Sequence, residues 1–248
     1  MNPARSVNPT LGVSPVFSGS GTEDAARQAV VDACLAMGGL GINQGKAGNV
    51  SVRWDRGGAD GMLVTPSALA YERMGIDDVV WLSLALDDTA AEDAQPTMRD
   101  GTRPASSEWR MHRDVYAARP EAGAVVHAHP VHAAALACLP RIQRDGIPAF
   151  HYMVAVAGGD DIRCAPYATF GTRALSERAL TALEGRRACL LAHHGLLACH
   201  DSLERALGLA AEVETLCRMY WLALQVGEPG VLDADEMRRV IPRLGGYV

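Results

Sequence analysis

Apolar and polar positions follow two rhythms along this chain. Ala26, Val30, Ala33 and Met37 recur at helical spacing after Thr22, whose hydroxyl suits an N-cap, so a helix is predicted over 23–38. The segment GLGINQGKAGNVSVRW then runs from a glycine-rich loop into a strand where Val50 and Val52 alternate with polar neighbours. GMLVTPS, 61–67, reads as a second strand ending in a turn, and 77–86 as a third. Ser106 or Ser107 can cap a helix over 107–119, with Trp109, His112, Val115 and Tyr116 on one face. Residues 123–128 are strand-like, 131–139 helical after Pro130, 150–170 a set of short strands around Gly158 and Gly159, and 172–184 helical. ACLLAHHGLLACH, 188–200, reads as two strands about a sharp turn at Gly195. Asp201, with Glu204 three residues on, opens the longest helix by a capping-box pattern. The stripe of that helix is Ala206, Leu209, Val213, Leu216, Tyr220 and Ala223, and a shorter helix fits 233–244.

Two stretches lack periodicity. Residues 1–21, rich in Pro, Ser, Gly and Asn, read as a flexible arm, and the acidic, proline-containing stretch 87–104 as a surface loop. No internal repeat is visible. Strands and helices that alternate only partly predict one α/β domain, a sheet covered by helices on both faces.

Composition narrows the class. With 248 residues, 48% apolar and 21% charged, the chain can bury a sizeable core. A net charge of −6 and a pI near 5.7 argue against a nucleic-acid partner, though an anionic substrate can still meet a locally positive site. Six cysteines form no CxxC pair and mostly lie in apolar segments, as free thiols in a reducing compartment do. The N-terminus has no basic region followed by an apolar one, and no apolar run is long enough to span a membrane. The expected location is the cytoplasm.

The histidines carry the candidate chemistry. In AVVHAHPVH, 124–132, His127 and His129 fall on the same side of a strand, because side chains alternate with a period of two. Such a pair can converge on one cation, or it can be two satisfied surface histidines. A catalytic zinc typically takes three protein ligands and an open position. The candidate third ligand is His194 of AHHGLLA, at a strand end beside a glycine that permits close backbone approach. His193 reads as a core histidine bonded to backbone, and His132, His151, His200 and His112 as structural. In PASSEWR, 104–110, Glu108 sits in the first turn of a helix. This is either ordinary helix-start chemistry or an anion site with a proton shuttle beside it. GKAGN, 45–49, has the small residues that let backbone amides close round an anion, and it is equally consistent with a plain loop. It is not a Walker loop.

Taken in order, NQGKAGNVSVR, DGMLVTPSALAYE, PASSEWRMHRDVYAARPEAGAVVHAHPVH, IPAFHYMVAVAGG, CAPYATFGTRALSE and LLAHHGLLACHDSLERAL resemble the class II aldolase and adducin family, from about residue 24 to the C-terminus. The resemblance implies a catalytic domain over 22–248 whose central sheet is mixed and mostly antiparallel in a three-layer αβα sandwich. It implies one zinc ion per subunit on His127, His129 and His194, with Glu108 as a fourth ligand that becomes the acid/base when substrate binds. It further implies that Gly48, Asn49, Ser67, Ala68, Ser106 and Ser107 bind a substrate phosphate. Tyr152 acts on a hydroxyl proton, and Phe170 and Tyr247 shape the aldehyde side. The implied reaction cleaves a ketose 1-phosphate, L-fuculose 1-phosphate or a similar sugar, to dihydroxyacetone phosphate and an aldehyde. The implied assembly is a homotetramer with active sites between subunits.

This chain departs from the family pattern in places, Ala68 and Lys46 among them. Ala68 stands where glycine is usual, and alanine tolerates a positive φ poorly, so a different loop shape is expected. Lys46, the chain's only lysine, stands where a small hydroxyl residue is usual and can lend charge to a phosphate. Alternative readings within the family are an aldolase for deoxy- or methylthio-pentulose phosphates, an epimerase, or a decarboxylase of sugar-acid phosphates. A non-catalytic adducin-like interaction module is the alternative of a different class. A cupin-type oxygenase also uses an HxH pair, but its all-β architecture does not match the long helices predicted here.

Overall fold

The computed structural model describes residues 21–85 and 100–244. Helix α1 (Glu23–Gly39) is capped by the Thr22 hydroxyl, which accepts from the Ala25 N–H at 3.3 Å. Strands β1 (Asn49–Arg53), β2 (Gly61–Val64) and β3 (Val80–Ser83) follow, then α2 (Trp109–Ala118) and β4 (Ala124–Ala128). After α3 (Val131–Ala137) and α4 (Pro140–Asp145) come β5 (Ile147–Pro148), β6 (Asp161–Ile162) and β7 (Cys164–Ala165). Helix α5 (Arg173–Ala182), strands β8 (Ala188–Leu191) and β9 (Gly195–His200), and helices α6 (Leu203–Val226) and α7 (Ala234–Val240) complete the order.

Seven strands form one sheet in the order β3-β2-β1-β4-β9-β8-β7. Among the described residues only β7 and β8 run parallel; the other pairings are antiparallel, including β5 with β6, which pair separately. The sheet is covered on both sides, which explains the unbroken apolar runs of GMLV and ACLL. Leu63, Val126, Leu190 and Ala198 face the layer of α1, α3 and α6. Met62, Val64, Val125, Leu191 and Leu197 face the layer of α2 and α5. This is the expected αβα sandwich with a mixed, mostly antiparallel sheet. In β1 the alternation separates two buried environments. Val50 and Val52 join the α1 and α6 side, while the polar Asn49 and Ser51 are buried on the α2 side.

Several local expectations change. Helix α2 starts at Trp109 with Glu108 as its N-cap residue, and neither serine caps it; the Ser106 hydroxyl instead accepts from the Glu108 N–H at 3.3 Å. Ser202, not Asp201, caps α6, because Asp201 is engaged by His200 and Arg205. The apolar run at 152–157 is a 3-10 turn rather than a strand, ended by Gly158 at φ 100°. Strand β3 is shorter than 77–86, since Ile76–Asp78 is also a 3-10 turn. The turn before β9 is centred on His193, at φ 56°, and Gly195 already belongs to the strand. All six cysteines are free. Residues 1–20 of the expected arm over 1–21, residues 87–99 of the acidic loop over 87–104, and Tyr247 lie outside the described residues.

Leu209, fully buried where α6 crosses the sheet, reports on this packing. Leu209→Ala is expected to cost about 2–5 kcal/mol of stability, read as a lower denaturant midpoint at unchanged slope. An unchanged midpoint would contradict the packing described.

Candidate metal centre

Strand β4 lies in the middle of the sheet, with Pro130 two residues beyond its end. His127 sits opposite Asn49 of β1 and faces the α2 layer, while His129 follows the last residue of the strand. His194 comes from the turn between β8 and β9. Two glycines allow the segments to close. A Cβ on Gly195 would lie 2.3 Å from the Ala128 carbonyl oxygen and 3.0 Å from the His129 ring, and one on Gly48 would lie 2.6 Å from the His127 carbonyl oxygen. Any larger residue would push His194 or the 45–49 loop away from the end of β4. Glu108, buried at the start of α2, completes the group.

The potential ligand atoms of Glu108, His127, His129 and His194 all lie within 4.8 Å of one another. The three imidazoles meet edge-on, with ring centroids 4.7–4.8 Å apart and planes at 71–78°. His127 Nε2 is 2.8 Å from His129 Nε2 and 3.1 Å from Glu108 Oε2. His127 Nδ1 donates to the Leu196 carbonyl at 2.8 Å, which aims Nε2 into the cluster, as imidazole ligands of metals usually are. Glu108 Oε1 accepts no hydrogen bond although it is buried, and His194 Nε2 is 3.3 Å from it. Three imidazole nitrogens and one carboxylate around a common point are a nitrogen and oxygen donor set suited to a divalent transition metal. The residues fit such an ion.

Electrostatics agree with this reading. Burial alone would raise the Glu108 carboxyl. His127 and His194, with hydrogen bonds from His127 and Asn49, outweigh it and hold the group well below the usual carboxylate range. Burial lowers His127, but the adjacent Glu108 more than restores it, so its proton affinity rises. His129 and His194 are pushed down to about 3 and about 4, first by burial and then by His127. At neutral pH both therefore offer a free lone pair.

Two asparagines, Asn43 in the loop before β1 and Asn49 at the start of β1, tie these elements to the cluster. Asn49 Nδ2 donates to Glu108 Oε2 at 2.9 Å. Asn43 Oδ1 accepts from the His129 N–H at 3.2 Å, while Asn43 Nδ2 donates to the Tyr71 hydroxyl at 3.1 Å. Asn43 and Tyr71 were not singled out in the sequence. Their partners lie 28 and 86 residues apart, and no local pattern announces such a bond.

The expected phosphate residues fall in three segments that the fold brings together. The Thr65 N–H bonds the Val50 carbonyl at 3.1 Å, the Ser106 N–H bonds the Thr65 carbonyl at 2.9 Å, and the Ser67 N–H bonds the Pro104 carbonyl at 2.9 Å. The loop does not relax at Ala68, which keeps a left-handed backbone at φ 58°. Lys46 Nζ donates to the Ala68 carbonyl at 3.0 Å, so the two unusual residues touch. Beside the cluster opens a cavity of about 340 Å³, lined among others by Ala47, Ser107, Glu108, Tyr167, Phe170 and His193. His193 is thus no core residue; it is exposed on the cavity wall, with Gln143 Nε2 at 2.9 Å from its ring. Tyr152 is not among the lining residues and is 48% exposed; Phe170 is 63% exposed. His132, His151 and His200 have structural partners in Glu214, the Met153 N–H and Asp201.

Comparison with known proteins adds the following. The family model described as Class II Aldolase and Adducin N-terminal domain matches residues 28–221. A protein from Rhodospirillum rubrum named 5-methylthioribulose-1-phosphate/5-deoxyribulose-1-phosphate aldolase is 48% identical over 92% of this chain and 94% of its own length. One from Escherichia coli K12 named L-fuculose phosphate aldolase is 47% identical over 90% of this chain and 94% of its own. A solved structure titled L-fuculose 1-phosphate aldolase superposes with a TM-score of 0.78 at 36% identity, covering 90% of this chain and 99% of that one.

If the four side chains form one metal centre, His129→Ala removes a donor without disturbing β4 hydrogen bonding. The variant is expected to purify with far less bound divalent metal than the parent, measured by elemental analysis. A full metal complement would remove His129 from the ligand set.

Proposed function

The chain belongs to the class II aldolase and adducin family, and we propose that it cleaves a ketose 1-phosphate to dihydroxyacetone phosphate and an aldehyde, using zinc held by His127, His129 and His194, with Glu108 as the resting fourth ligand. The single observation that carries this reading is the complete, converging donor set, including a buried carboxylate oxygen with no hydrogen bond. A non-catalytic interaction module has no need of it. No helix among the described residues is long and apolar enough to cross a membrane; the free thiols further favour the cytosol.

Breaking the C3–C4 bond of such a sugar leaves negative charge on the three-carbon half. Zinc held by His127, His129 and His194 would supply Lewis-acid stabilisation of that charge. The protein's own groups handle position and protons. Gly48, Asn49, Ser67, Ala68, Ser106 and Ser107 would bind the phosphate through N–H and hydroxyl donors, with Lys46 adding the loop's one positive charge. Asn49 keeps one amide hydrogen on Glu108. Tyr152 would take the C4 hydroxyl proton, and Glu108 would deliver a proton to the carbon left behind. Phe170 and Tyr247 would flank the departing aldehyde.

Tyr152 points to the assembly. It lies outside the cavity of its own chain, half exposed, as a residue would if it served a neighbour's site. We assign the chain to a homotetramer whose active sites are shared between subunits. Exposed Val131, Trp221 and Leu222 provide apolar surface for such contacts.

The substrates named for its relatives are L-fuculose phosphate and the 5-methylthio- and 5-deoxyribulose 1-phosphates, at nearly equal identity. They share the C1 phosphate, the C2 carbonyl and the C3 and C4 hydroxyls, and differ in the tail beyond C4. A coupled assay for dihydroxyacetone phosphate with these three sugars tests the proposal, and at least one is expected to be cleaved. An epimer in place of the three-carbon product, or CO2 released from a sugar-acid phosphate, would favour the sibling reactions. In the same assay Glu108→Gln is expected to lose about 10²-fold or more in turnover. Tyr152→Phe should also be impaired, and subunits of the two variants mixed by unfolding and refolding should regain activity that neither has alone. No regain would contradict shared sites.

A further inference from the structure

Helix α2 carries a fully buried histidine, His112, one turn beyond Glu108, and the reaction outlined above does not use it. Its ring belongs to a chain of hydrogen bonds that ends on Glu108. Tyr116 OH lies 2.8 Å from Ser51 Oγ, Ser51 Oγ lies 2.7 Å from His112 Nδ1, His112 Nε2 lies 2.5 Å from Asn49 Oδ1, and Asn49 Nδ2 lies 2.9 Å from Glu108 Oε2. All five residues are buried.

The donors follow from the last link. A carboxylate can only accept, so Asn49 presents its NH₂ to Glu108 and its carbonyl oxygen to His112. That oxygen can only accept, so His112 donates from Nε2. A fully buried neutral ring then accepts at Nδ1, so the Ser51 hydroxyl donates to it and accepts from Tyr116. Every bond points the same way, towards Oε2 of Glu108. Oε1 is the oxygen without a donor.

We propose that His112 is a positioning residue of the aldolase reaction: it locks the Asn49 amide so that Glu108 Oε2 always meets an N–H donor, which fixes the carboxyl and leaves Oε1 as its unpartnered oxygen. An unrestrained Asn49 could turn its carbonyl oxygen towards Oε2, set two acceptors against each other and displace the carboxyl. With His112 Nε2–H fixed by Ser51 and Tyr116, that turn would set two donors against each other. The inference rests on the role proposed for Glu108.

Three variants test it: His112→Leu removes both ring bonds, His112→Gln retains an N–H for Asn49, and Ser51→Ala frees the ring to present a lone pair to Asn49 instead. Steady-state kinetics on the best ketose 1-phosphate, bound metal per chain and the thermal unfolding midpoint would be measured together. His112→Leu and Ser51→Ala are expected to lose about 10- to 100-fold in kcat with KM and metal content little changed, and His112→Gln to recover most of the loss. Should His112→Leu not fold, Ser51→Ala, which leaves only a small gap, decides the matter. The proposal is overturned if folded, metal-loaded Ser51→Ala or His112→Leu keeps parental kcat. It is also overturned if His112→Gln is as impaired as His112→Leu, or if the loss in kcat merely tracks a loss of metal. An inactive parent enzyme would instead count against the proposed function.

Discussion

Three imidazoles and a carboxylate aim their lone pairs at one point inside this protein, and that convergence is the constraint the rest of the structure serves. His127 Nε2 stands 2.8 Å from His129 Nε2 and 3.1 Å from Glu108 Oε2, in surroundings that push His129 and His194 towards neutrality. Lone pairs this close repel unless a cation or proton lies between them, and burial strengthens both the repulsion and its relief. The order of the fold follows from holding such a group together. A strand covered on both faces supplies His127, the close approach at Gly195 brings His194 against the end of that strand, and the first turn of α2 inserts Glu108 from the other layer.

The supporting shell is as informative as the ligands. Asn43 lies in the loop before β1 and Asn49 is the first residue of β1, yet each reaches a different member of the cluster, Asn43 the backbone of His129 and Asn49 the carboxylate of Glu108. The segment proposed to bind phosphate is thereby wired directly to the candidate metal ligands. This arrangement gives a physical route by which phosphate binding and the position of Glu108 can influence each other. The contact between Lys46 and the Ala68 carbonyl belongs to the same region: a backbone conformation that costs alanine about 1–3 kcal/mol is kept, with a hydrogen bond from the other unusual residue holding it.

Much of this was legible in the sequence, for identifiable reasons. The period of two in HAH puts His127 and His129 side by side whatever the strand pairs with, and Gly195 marked where a second backbone would come close. The two-sided burial of the sheet was written in the apolar runs. Glu108 was different, since SSEW read locally is a helix start and only the resemblance made it a ligand. The helix caps slipped by a residue or two because Ser202 and Asp201 are both competent caps and the choice depends on tertiary partners of Asp201. YMVAVA looked like a strand by its β-branched and aromatic content, but the His151 cap and Gly158 at φ 100° wind it into a 3-10 turn. His112 was dismissed as a packing residue because its partners, Ser51 and Asn49, lie some 60 residues away in the chain.

The central claim is that this one cluster holds one ion on which carbon–carbon cleavage depends. The direct measurement strips the protein with a chelator, returns zinc in fractions of an equivalent, and follows dihydroxyacetone phosphate from the ketose 1-phosphate it cleaves fastest. The account predicts that the stripped protein is inactive and that activity climbs linearly to a break at one zinc per chain. Undiminished cleavage by the stripped protein, or a rise with no break at one equivalent, would contradict it.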